Sequence, residues 1–459
     1  MMITDVAITF HGGAGTVTGS NFLLQASTEN EIFKYLIDCG LMQGGQVCDD
    51  CNYEKFPYDP ASIKALFITH GHLDHVGRIG KLIKDGFTGP IYSTSPTRDI
   101  AELIMLDSLG VMEKERSKTQ KEPLYDEDDV AQAMAEWQTV EYHQPIDING
   151  LQVVFRDAGH ILGSSMIEFT INNRKLLFTG DLGNSPAPLL KPTEKITDID
   201  YLVTESVYGD RNHEHADDRK KILRATIKDT MKAGGTLMIP AFAVERTQEL
   251  LFEIENMMET SEIPLVPVFL DSPLAIAVTK VYEKHKHLFN KDVRVTMNEG
   301  DGIFNFPQLQ LTKSTDQSKA IRHAPDRKII IAGSGMSNGG RILHHEKAYL
   351  PDPNSTLLLV GYQVYGSLGR YLQDGAKNVK IMGTDVPVRA KITKISGYSA
   401  HKDSDDLVDF IADSADTLKK VFCVLGEPKS SMFLAQRVRD YLGLKVSVPE
   451  AGQTIKIDM

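Results

Sequence analysis

The sequence is poor in cysteine and tryptophan, and it has fewer basic than acidic residues. It contains 4 Cys and 1 Trp in 459 residues, and 62 Asp and Glu against 50 Lys and Arg give a net charge of −12. So few cysteines cannot supply the disulfide framework of a small secreted domain. The acidic balance argues against a protein that binds nucleic acid through a broad basic face.

Long apolar runs are also missing. No segment reaches the ~18 apolar residues that a membrane helix needs, and the first residues lack the basic and apolar stretches of a secretory signal. We therefore expect no membrane association and a reducing, cytoplasmic setting. Cys48 and Cys51 form a single CxxC pair. Because no second pair completes a zinc ribbon, two free thiols are favoured over a redox or metal role.

What is present is typical of a soluble protein with more than one domain. Hydrophobic residues make up 41% of the chain and charged residues 24%, and the length exceeds what one hydrophobic core usually fills. Predicted strands alternate with helices, which indicates layered α/β architecture. A second alternating unit begins near residue 210. The stretches 388–395 and 421 onward are predicted to be sheet edges that return to the first domain.

A glycine-rich loop at residues 11–20, with the sequence HGGAGTVTGS, lies between two predicted strands. A dinucleotide-binding fingerprint requires a helix after such a loop. Residues 21–25 favour a strand instead. The loop is therefore predicted to be a β-hairpin beside a functional cleft.

The strongest chemical signal is the string HGHLDH at 70–75, which follows an apolar strand and contains His70, His72, Asp74 and His75. Imidazole and carboxylate together suit zinc or another borderline divalent metal. The string supplies too many ligands for one tetrahedral ion with an open position. It fits two ions roughly 3.5–4 Å apart.

Three further candidates follow other apolar strands. His160 and Asp181 are each preceded by a glycine, which lets the backbone approach a cofactor closely. A carboxylate such as Asp181 can bridge two cations. Asp38 is the natural hydrogen-bond partner for a metal-ligating imidazole.

These pieces, in this order, resemble the metallo-β-lactamase superfamily. The resemblance implies a four-layer αββα sandwich of the α/β class, with a dinuclear zinc cleft between its sheets. It also implies two zinc ions per chain, with a ligand set of His70, His72 and His160 for one ion, Asp74 and His75 for the other, and Asp181 as the bridge.

Later strings resemble the β-CASP branch of this superfamily, and most closely the bacterial and archaeal RNases related to the mRNA cleavage-and-polyadenylation endonuclease. They are TESVYGD at 204–210, PAFAVERTQEL at 240–250, GSGMSNGGR at 333–341 and SGYSAHKD at 396–403. The implied organisation is a metallo-β-lactamase domain at 1–207, an inserted β-CASP α/β domain at 208–378 and the rest of the first domain at 379–459.

The resemblance implies a metal-dependent nuclease, most simply an endoribonuclease that acts on single-stranded RNA in a cleft between the two domains. A zinc-bound hydroxide would attack phosphorus, with Asp74 at the metal, His401 as general acid and Glu205 holding its imidazole. Candidate contacts to the RNA backbone are Arg246, Gly335, Arg341, His344 and Ser399. Single-stranded DNA as a ligand and a homodimer are left open.

Leu425 departs from the family pattern. The branch has His-Gly-Glu at its motif C, whereas this chain has Leu425 before Gly426 and Glu427. Leucine cannot bind metal, so the second zinc should bind more weakly or give way to Mn²⁺. Cys423, two residues earlier, is predicted to lie on the same strand face, and a buried apolar cysteine is the favoured interpretation. DNA-directed members of the branch also carry an apolar residue at this position.

Three alternatives therefore remain: a DNA-directed or dual nuclease, a nucleic-acid-binding protein with an impaired second metal site, and another hydrolase such as a thioesterase. The acidic balance also takes on a second meaning, because Asp38, Asp74, Asp181 and Glu205 belong to the proposed dication site. RNA binding should then depend on a confined cleft and show a shallow salt dependence.

Overall fold

The computed structural model describes residues 2–44, 50–213, 216–298, 303–361, 363–395 and 397–459. These form two compact units, one of Met1–Ser185, Pro192–Asn212 and His401–Met459, the other of Pro186–Lys191 and His213–Ala400. The domain bounds at residues 207 and 378 stay a prediction. Cys48 lies outside the described residues, and Cys51 is half-buried. No described helix is long and apolar enough to cross a bilayer.

The first unit contains two sheets of seven strands each. In spatial order, the first sheet consists of Thr454–Ile457, Asp5–Gly12, Asn21–Ser27, Ile32–Ile37, Ala65–Phe67, Ile91–Ser93 and Trp137–Thr139. The predicted hairpin is confirmed, because Asp5–Gly12 pairs antiparallel with Asn21–Ser27. From Ile32–Ile37 onward the pairs are parallel. The turns that follow these parallel strands therefore open at one edge of the sheet.

The second sheet also combines a parallel part and an antiparallel part. Its spatial order is Val446–Ser447, Lys420–Val424, Tyr201–Glu205, Arg174–Phe178, Ser165–Ile171, Leu151–Asp157 and Ile146–Ile148. The first four of these strands run parallel to one another, and the remaining pairs are antiparallel. The predicted return of the chain from residue 421 is confirmed, but the edge position expected for its first strand is wrong, because Lys420–Val424 lies between Val446–Ser447 and Tyr201–Glu205.

Aromatic side chains join the two sheets face to face. Phe67 of the first sheet meets Phe169 of the second edge-on, with ring centroids 5.1 Å apart, and Phe22 stacks on Phe178 at 6.0 Å. All four lie in one buried apolar cluster. Burial of such large rings is a main source of stability for a sandwich core.

Helices cover the outer faces of both sheets. Ser404–Ala412 and Pro428–Leu442 contribute Leu407 and Leu434 to a second buried cluster, on the far side of the second sheet. The first sheet is accompanied by Leu73–Val76, Ile79–Lys84, Ser95–Thr119 and Glu127–Ala135. The longest of these begins where Thr94 accepts the N–H of Thr97, a typical N-cap. The four-layer αββα sandwich is therefore confirmed.

The second unit is built on a parallel sheet of six strands. Their order is Leu309–Leu311, Val268–Leu270, Lys328–Ala332, Thr236–Pro240, Thr356–Leu359 and Lys391–Lys394. Its helices are Ala216–Ala233, Arg246–Glu259, Pro273–Lys284, Lys291–Asn298, Thr315–Ala320, Ile342–Tyr349 and Leu368–Gln373, and a hairpin joins Asn378–Ile381 to Thr384–Pro387. The predicted second α/β domain is confirmed.

A second strand prediction is wrong. Lys391–Lys394 was expected to return to the first domain, but it pairs in parallel with Thr356–Leu359 at the edge of the second unit's sheet. Its sequence, KITK, alternates weakly and none of its residues is fully buried. A short edge strand of this kind carries no hydrophobic pattern that would identify its sheet.

Candidate metal centre

The candidate ligands stand directly after buried strands of the first unit. His70 follows Ala65–Phe67, His160 follows Leu151–Asp157, and Asp181 follows Arg174–Phe178. Each strand is largely apolar and fixed by its neighbours in the sheet. Because the side chains sit on turns anchored by such strands, their positions are set by the sheets rather than by flexible loops.

Three imidazole nitrogens and one carboxylate oxygen gather at a single point. His72 Nδ1 lies 3.1 Å from His70 Nε2 and 3.3 Å from His160 Nε2. Asp181 Oδ2 lies 3.5 Å from the Nε2 atoms of both His70 and His160. Two donors bound tetrahedrally to zinc at their usual distance stand about 3.3 Å apart. The spacing of this group, which lies within 4.8 Å overall, therefore fits one such ion.

The electrostatics of His70 agree with a ligand role. Its side chain is fully buried. Burial and the neighbouring imidazole of His75 hold its pKa well below the usual value, against the opposing effect of Asp181. A neutral imidazole keeps a lone pair for a cation.

His75 is oriented by Asp38. Asp38 Oδ2 accepts from His75 Nδ1 at 2.7 Å and from Ser20 Oγ at 2.9 Å. The backbone N–H of Thr69 donates to Oδ1 at 2.8 Å, and the Thr69 hydroxyl also contacts the carboxylate. The carboxylate thus fixes the ring so that Nε2 faces Asp181, as predicted for a partner of a metal ligand.

The other nitrogen of His75 is the clearest sign of a second cation position. Nε2 lies 3.5 Å from Asp181 Oδ2 and 3.9 Å from Asp74 Oδ2. It is buried, and no hydrogen-bond partner for it exists among the described residues. Burial opposes a charged imidazole here, but Asp181, Asp38 and Asp74 raise the pKa of His75 well above its usual value. A divalent cation would take the place of that proton between the nitrogen and the carboxylates. His75, Asp74 and Asp181 therefore fit a second ion.

Leu425 contributes nothing to this position. Its N–H donates to the carbonyl of Gly13 at 2.6 Å, and its side chain is buried in the apolar cluster between the sheets. Its backbone is left-handed, with φ of 49°. Within the part of the chain that the structure describes, the candidate ligands for a second ion are therefore Asp74, His75 and Asp181.

Cys423 does not share the strand face of Leu425, so that prediction is wrong. It lies in the cluster on the helix side of the second sheet. The strand ends at Val424, and the left-handed backbone of Leu425 breaks the alternation. Burial raises the pKa of the Cys423 thiol to about 12. The interpretation as a buried apolar cysteine is confirmed.

His401 and Glu205 form a pair beside the cluster. His401 Nδ1 lies 3.1 Å from Glu205 Oε2 and 3.9 Å from Asp181 Oδ2. Burial opposes the charged imidazole, but the carboxylates of Glu205 and Asp181 outweigh it and raise the pKa of His401 to about 9. The two carboxylates thus favour the protonated form of an imidazole that lies next to the candidate metal ligands.

The backbone around Leu182 fixes this pair. The Leu182 N–H donates to Glu205, the Lys402 N–H donates to the Leu182 carbonyl at 2.9 Å, and Gly183 forms a β-bridge with His401. A Cβ at Gly183 would stand 1.8 Å from the carbonyl oxygen of Gly159. Only glycine lets these two ligand-bearing turns approach so closely.

The predicted contacts to RNA all belong to the second unit, and the structure pairs two of them, Arg246 and Arg341, with acidic side chains. Arg246 is buried, pairs with Glu249 and lies over the ring of Tyr398 at 5.4 Å. Arg341 donates to Asp271 at 2.7 Å. Ser399 is buried, whereas His344 is exposed. Their part in binding stays a prediction.

Sequence reasoning missed the supporting hydroxyls. Thr69 and Ser20 bind Asp38, and Thr179 Oγ1 accepts the N–H of Glu205 at 3.2 Å. A signal existed for Thr69 and Thr179, since each lies within two residues of a predicted ligand. Ser20 ends the glycine-rich loop at 11–20, which was predicted to lie beside a functional cleft, but nothing in the loop indicated a contact to Asp38.

Three protein-family domains together match most of the chain. Residues 27–198 match a metallo-beta-lactamase superfamily domain, residues 247–372 a Beta-Casp domain, and residues 385–449 a Zn-dependent metallo-hydrolase RNA specificity domain.

Individual proteins match over nearly the full length. Ribonuclease TTHA0252 from Thermus thermophilus is 34% identical over 446 residues, covering 97% of this chain and 99% of the relative. Transcription termination factor FttA from Methanosarcina mazei is 32% identical, covering 98% of this chain and 72% of its own. A solved structure of a protein of unknown function from Enterococcus faecalis V583 covers 99% of this chain at TM-score 0.57 and 12% identity, which indicates a shared fold only.

Proposed function

The chain belongs to the β-CASP branch of the metallo-β-lactamase superfamily, and from that premise we propose that it is a metal-dependent ribonuclease that hydrolyses phosphodiester bonds. The observation that carries the proposal is the gathering of His70, His72, His160 and Asp181 at one point, with the Glu205–His401 pair beside it. The first group suits a divalent cation and the second suits proton transfer.

The choice of RNA is supported by the relatives and by the matched domains. The Thermus relative is named a ribonuclease, and the match to an RNA specificity domain covers residues 385–449. The FttA relatives are named transcription termination factors. Single-stranded RNA is the substrate that we propose for this chain, with endonucleolytic cleavage.

A divalent cation bound here supplies Lewis acidity toward a phosphate oxygen and lowers the pKa of water. The residues of the chain prepare this chemistry. His70, His72 and His160 would hold one ion, and Asp74 and His75 would hold the other, with Asp181 between them. Asp38 keeps His75 in the orientation that presents Nε2 to the site.

His401 is suited to provide the proton that the leaving oxygen requires. Its protonated form is favoured by Glu205 and Asp181, and Glu205 itself is held by the N–H of Leu182. Proton transfer by a side chain held in this way contributes about 10²–10⁴ in rate. Glu205 acts through His401 by fixing its ring and its charge.

The two cation positions should differ in affinity. The first has four ligand atoms within 4.8 Å of one another. The second has Asp74, His75 and the shared Asp181, and Leu425 stands where the family has a further histidine. We propose a tight zinc site and a weaker second site that accepts Zn²⁺ or Mn²⁺.

DNA is the second candidate substrate, because an apolar residue at position 425 is also found in DNA-directed members of the branch. Cleavage of single-stranded DNA as fast as RNA would make the chain a dual nuclease. A homodimer and a cytoplasmic setting are further parts of the proposal.

The test is cleavage of end-labelled single-stranded RNA and DNA by the purified protein with Zn²⁺ or Mn²⁺. The His70→Ala/Asp74→Ala variant should lose cleavage and metal. The matched control is His323→Ala/Asp326→Ala, which removes an exposed pair of the same residue types. The proposal fails if the wild type cleaves no faster than the His70→Ala/Asp74→Ala variant. RNA binding without turnover, with fewer than one ion per chain, would indicate a binding protein instead.

A further inference from the structure

Three loops of the second unit begin at the same edge of its parallel sheet. They follow Lys328–Ala332, Thr236–Pro240 and Thr356–Leu359, which are adjacent and parallel. The carboxyl edge of such a sheet is the usual place for ligands, because the loops there converge while the strands hold their bases still. The glycine-rich segment 333–341 is the loop that follows Lys328–Ala332.

Two aromatic rings on these loops are exposed. Phe242, just after Thr236–Pro240, is 45% exposed, and Tyr365, in the loop after Thr356–Leu359, is 88% exposed. Val364 beside it is 37% exposed. Large apolar side chains that remain in water on loops at a sheet edge often mark a binding surface.

The glycine-rich segment connects both aromatic loops. A Cβ on Gly335 would stand 2.9 Å from a ring carbon of Phe242, so the ring lies directly on the glycine backbone. Gln363 Nε2 donates to the Gly335 carbonyl at 3.1 Å, and the Gly369 N–H donates to Met336 at 3.1 Å. Phe242 and Gln363 thus contact the same residue, Gly335, so the two aromatic loops are fixed at one point of the glycine-rich segment.

The acidic groups around this segment carry little uncompensated negative charge. Asp271 accepts from Arg341 Nη1 and from His345 Nε2, each at 2.7 Å. Burial raises the pKa of Glu346 to about 8, so this carboxyl, which accepts from Ser337, is protonated at neutral pH. A polyanion would meet little repulsion here, although the whole chain carries a net charge of −12.

We propose that Phe242 and Tyr365 form a stacking platform for the bases of single-stranded RNA, at the carboxyl edge of the second unit's sheet. The inference rests on the proposed function and adds how the substrate is held. Every base has a flat apolar face, so aromatic rings bind single strands with little sequence preference. This mode suits an acidic protein, because stacking does not require a broad basic surface.

Tyr365 is the better residue for the test, because its exposed ring supports little internal packing. Loss of one stacked base weakens binding by about tenfold or more. In a cleavage-deficient His401→Ala background, Tyr365→Leu should raise the Kd for a fluorescent single-stranded RNA to that extent. Tyr365→Phe should retain affinity. Tyr441→Leu, which removes a 69% exposed ring from the first unit, is the matched control. Phe242→Leu should behave as Tyr365→Leu does.

An abasic oligomer separates stacking from other effects. The His401→Ala protein should bind a ribose-phosphate strand without bases more weakly than the Tyr365→Leu variant binds the normal RNA, because both stacking contacts are lost, and Tyr365→Leu should change the Kd of the abasic strand little. If Tyr365→Leu and Phe242→Leu both leave the Kd for normal RNA unchanged while the otherwise native enzyme cleaves RNA, the stacking inference fails and the proposed function stands. An effect equal on abasic and normal strands also overturns stacking. A native enzyme that neither binds nor cleaves RNA overturns both.

Discussion

His401 Nδ1 lies 3.1 Å from Glu205 Oε2, and this contact joins a side chain near the end of the sequence to the end of a buried strand almost 200 residues earlier. The carboxylate of Glu205 fixes the orientation of the His401 ring, and the spacing of the two residues in the sequence gives no indication of this contact.

Replacing either member of the pair should separate catalysis from metal binding. His401→Ala should lower kcat on RNA by about 10²–10⁴ because the proton donor is lost. Glu205→Gln should lower kcat less, since the imidazole remains but loses its charge partner. Elemental analysis should find wild-type metal content in both. His323→Ala, at an exposed position, is the control, and loss of metal from His401→Ala would make His401 a structural residue.

Removal of the carboxylate behind His75 should weaken metal binding. Asp38 accepts from Thr69, Ser20 and His75. Asp38→Asn should therefore lower metal affinity by about 10–100-fold, as loss of such a partner typically does. Competition with a chromogenic chelator measures the affinity, and circular dichroism checks the fold. Asp5→Asn, at a surface ion pair, should change nothing. Equal affinity in Asp38→Asn and wild type would contradict the assigned role.

Leu425→His tests whether residue 425 is the reason that the second cation position binds more weakly than the first. Histidine tolerates the left-handed backbone at this position better than most residues do. We expect Leu425→His to bind an additional equivalent of Zn²⁺ or Mn²⁺, as measured by isothermal titration and elemental analysis. Leu425→Asn is the matched control, because asparagine is polar and favours the same backbone but is a poor zinc ligand. Should both variants bind the same number of ions as wild type, residue 425 does not limit the second site.

The raised pKa of Glu346 predicts that the stability of the second unit depends on pH. Its pKa is about 8 in the folded chain and near the ordinary glutamate value of 4.5 when the chain is unfolded. The folded state therefore holds the proton more tightly. Its contribution to stability is largest at low pH and declines as pH rises from 4.5 toward 8.

Glu346→Gln mimics the protonated carboxyl and should remove this decline. Each pH unit in the window corresponds to at most about 1.4 kcal/mol. Urea unfolding at about pH 5 and about pH 8 should therefore show that the variant gains stability relative to wild type at the higher pH. Glu259→Gln, an exposed carboxyl of the same unit, is the control. A constant difference between Glu346→Gln and wild type across this range would contradict the prediction.

The sequence predicted the parts of the site that lie within short strings. His70, His72, Asp74 and His75 follow one strand, and their residue types alone indicate a metal. His160 and Asp181 were recognisable by their places after apolar strands, and the resemblance to the family added His401. The meeting of these three residues depends on the packing of separate strands. No local pattern could have supplied those contacts.

Two of the wrong predictions concern Lys391–Lys394 and Cys423, and each has its own physical cause. Lys391–Lys394 is short and half-exposed, so its sheet is decided by the neighbouring Thr356–Leu359 rather than by its own pattern. Cys423 and Leu425 were placed on one face by a rule that holds only while the strand continues. The left-handed backbone at Leu425 is a property of the folded chain.

The order of the strands has a consequence for synthesis on the ribosome. The first sheet ends at its edge with Thr454–Ile457, and the second sheet takes Lys420–Val424 as an internal strand beside Tyr201–Glu205. A nascent chain that stops before residue 400 contains the candidate metal ligands but neither His401 nor these strands. The first unit can close only after Lys420–Val424 and Thr454–Ile457 have been synthesised, so such a shorter nascent chain lacks both the closed sandwich and the proposed proton donor, His401.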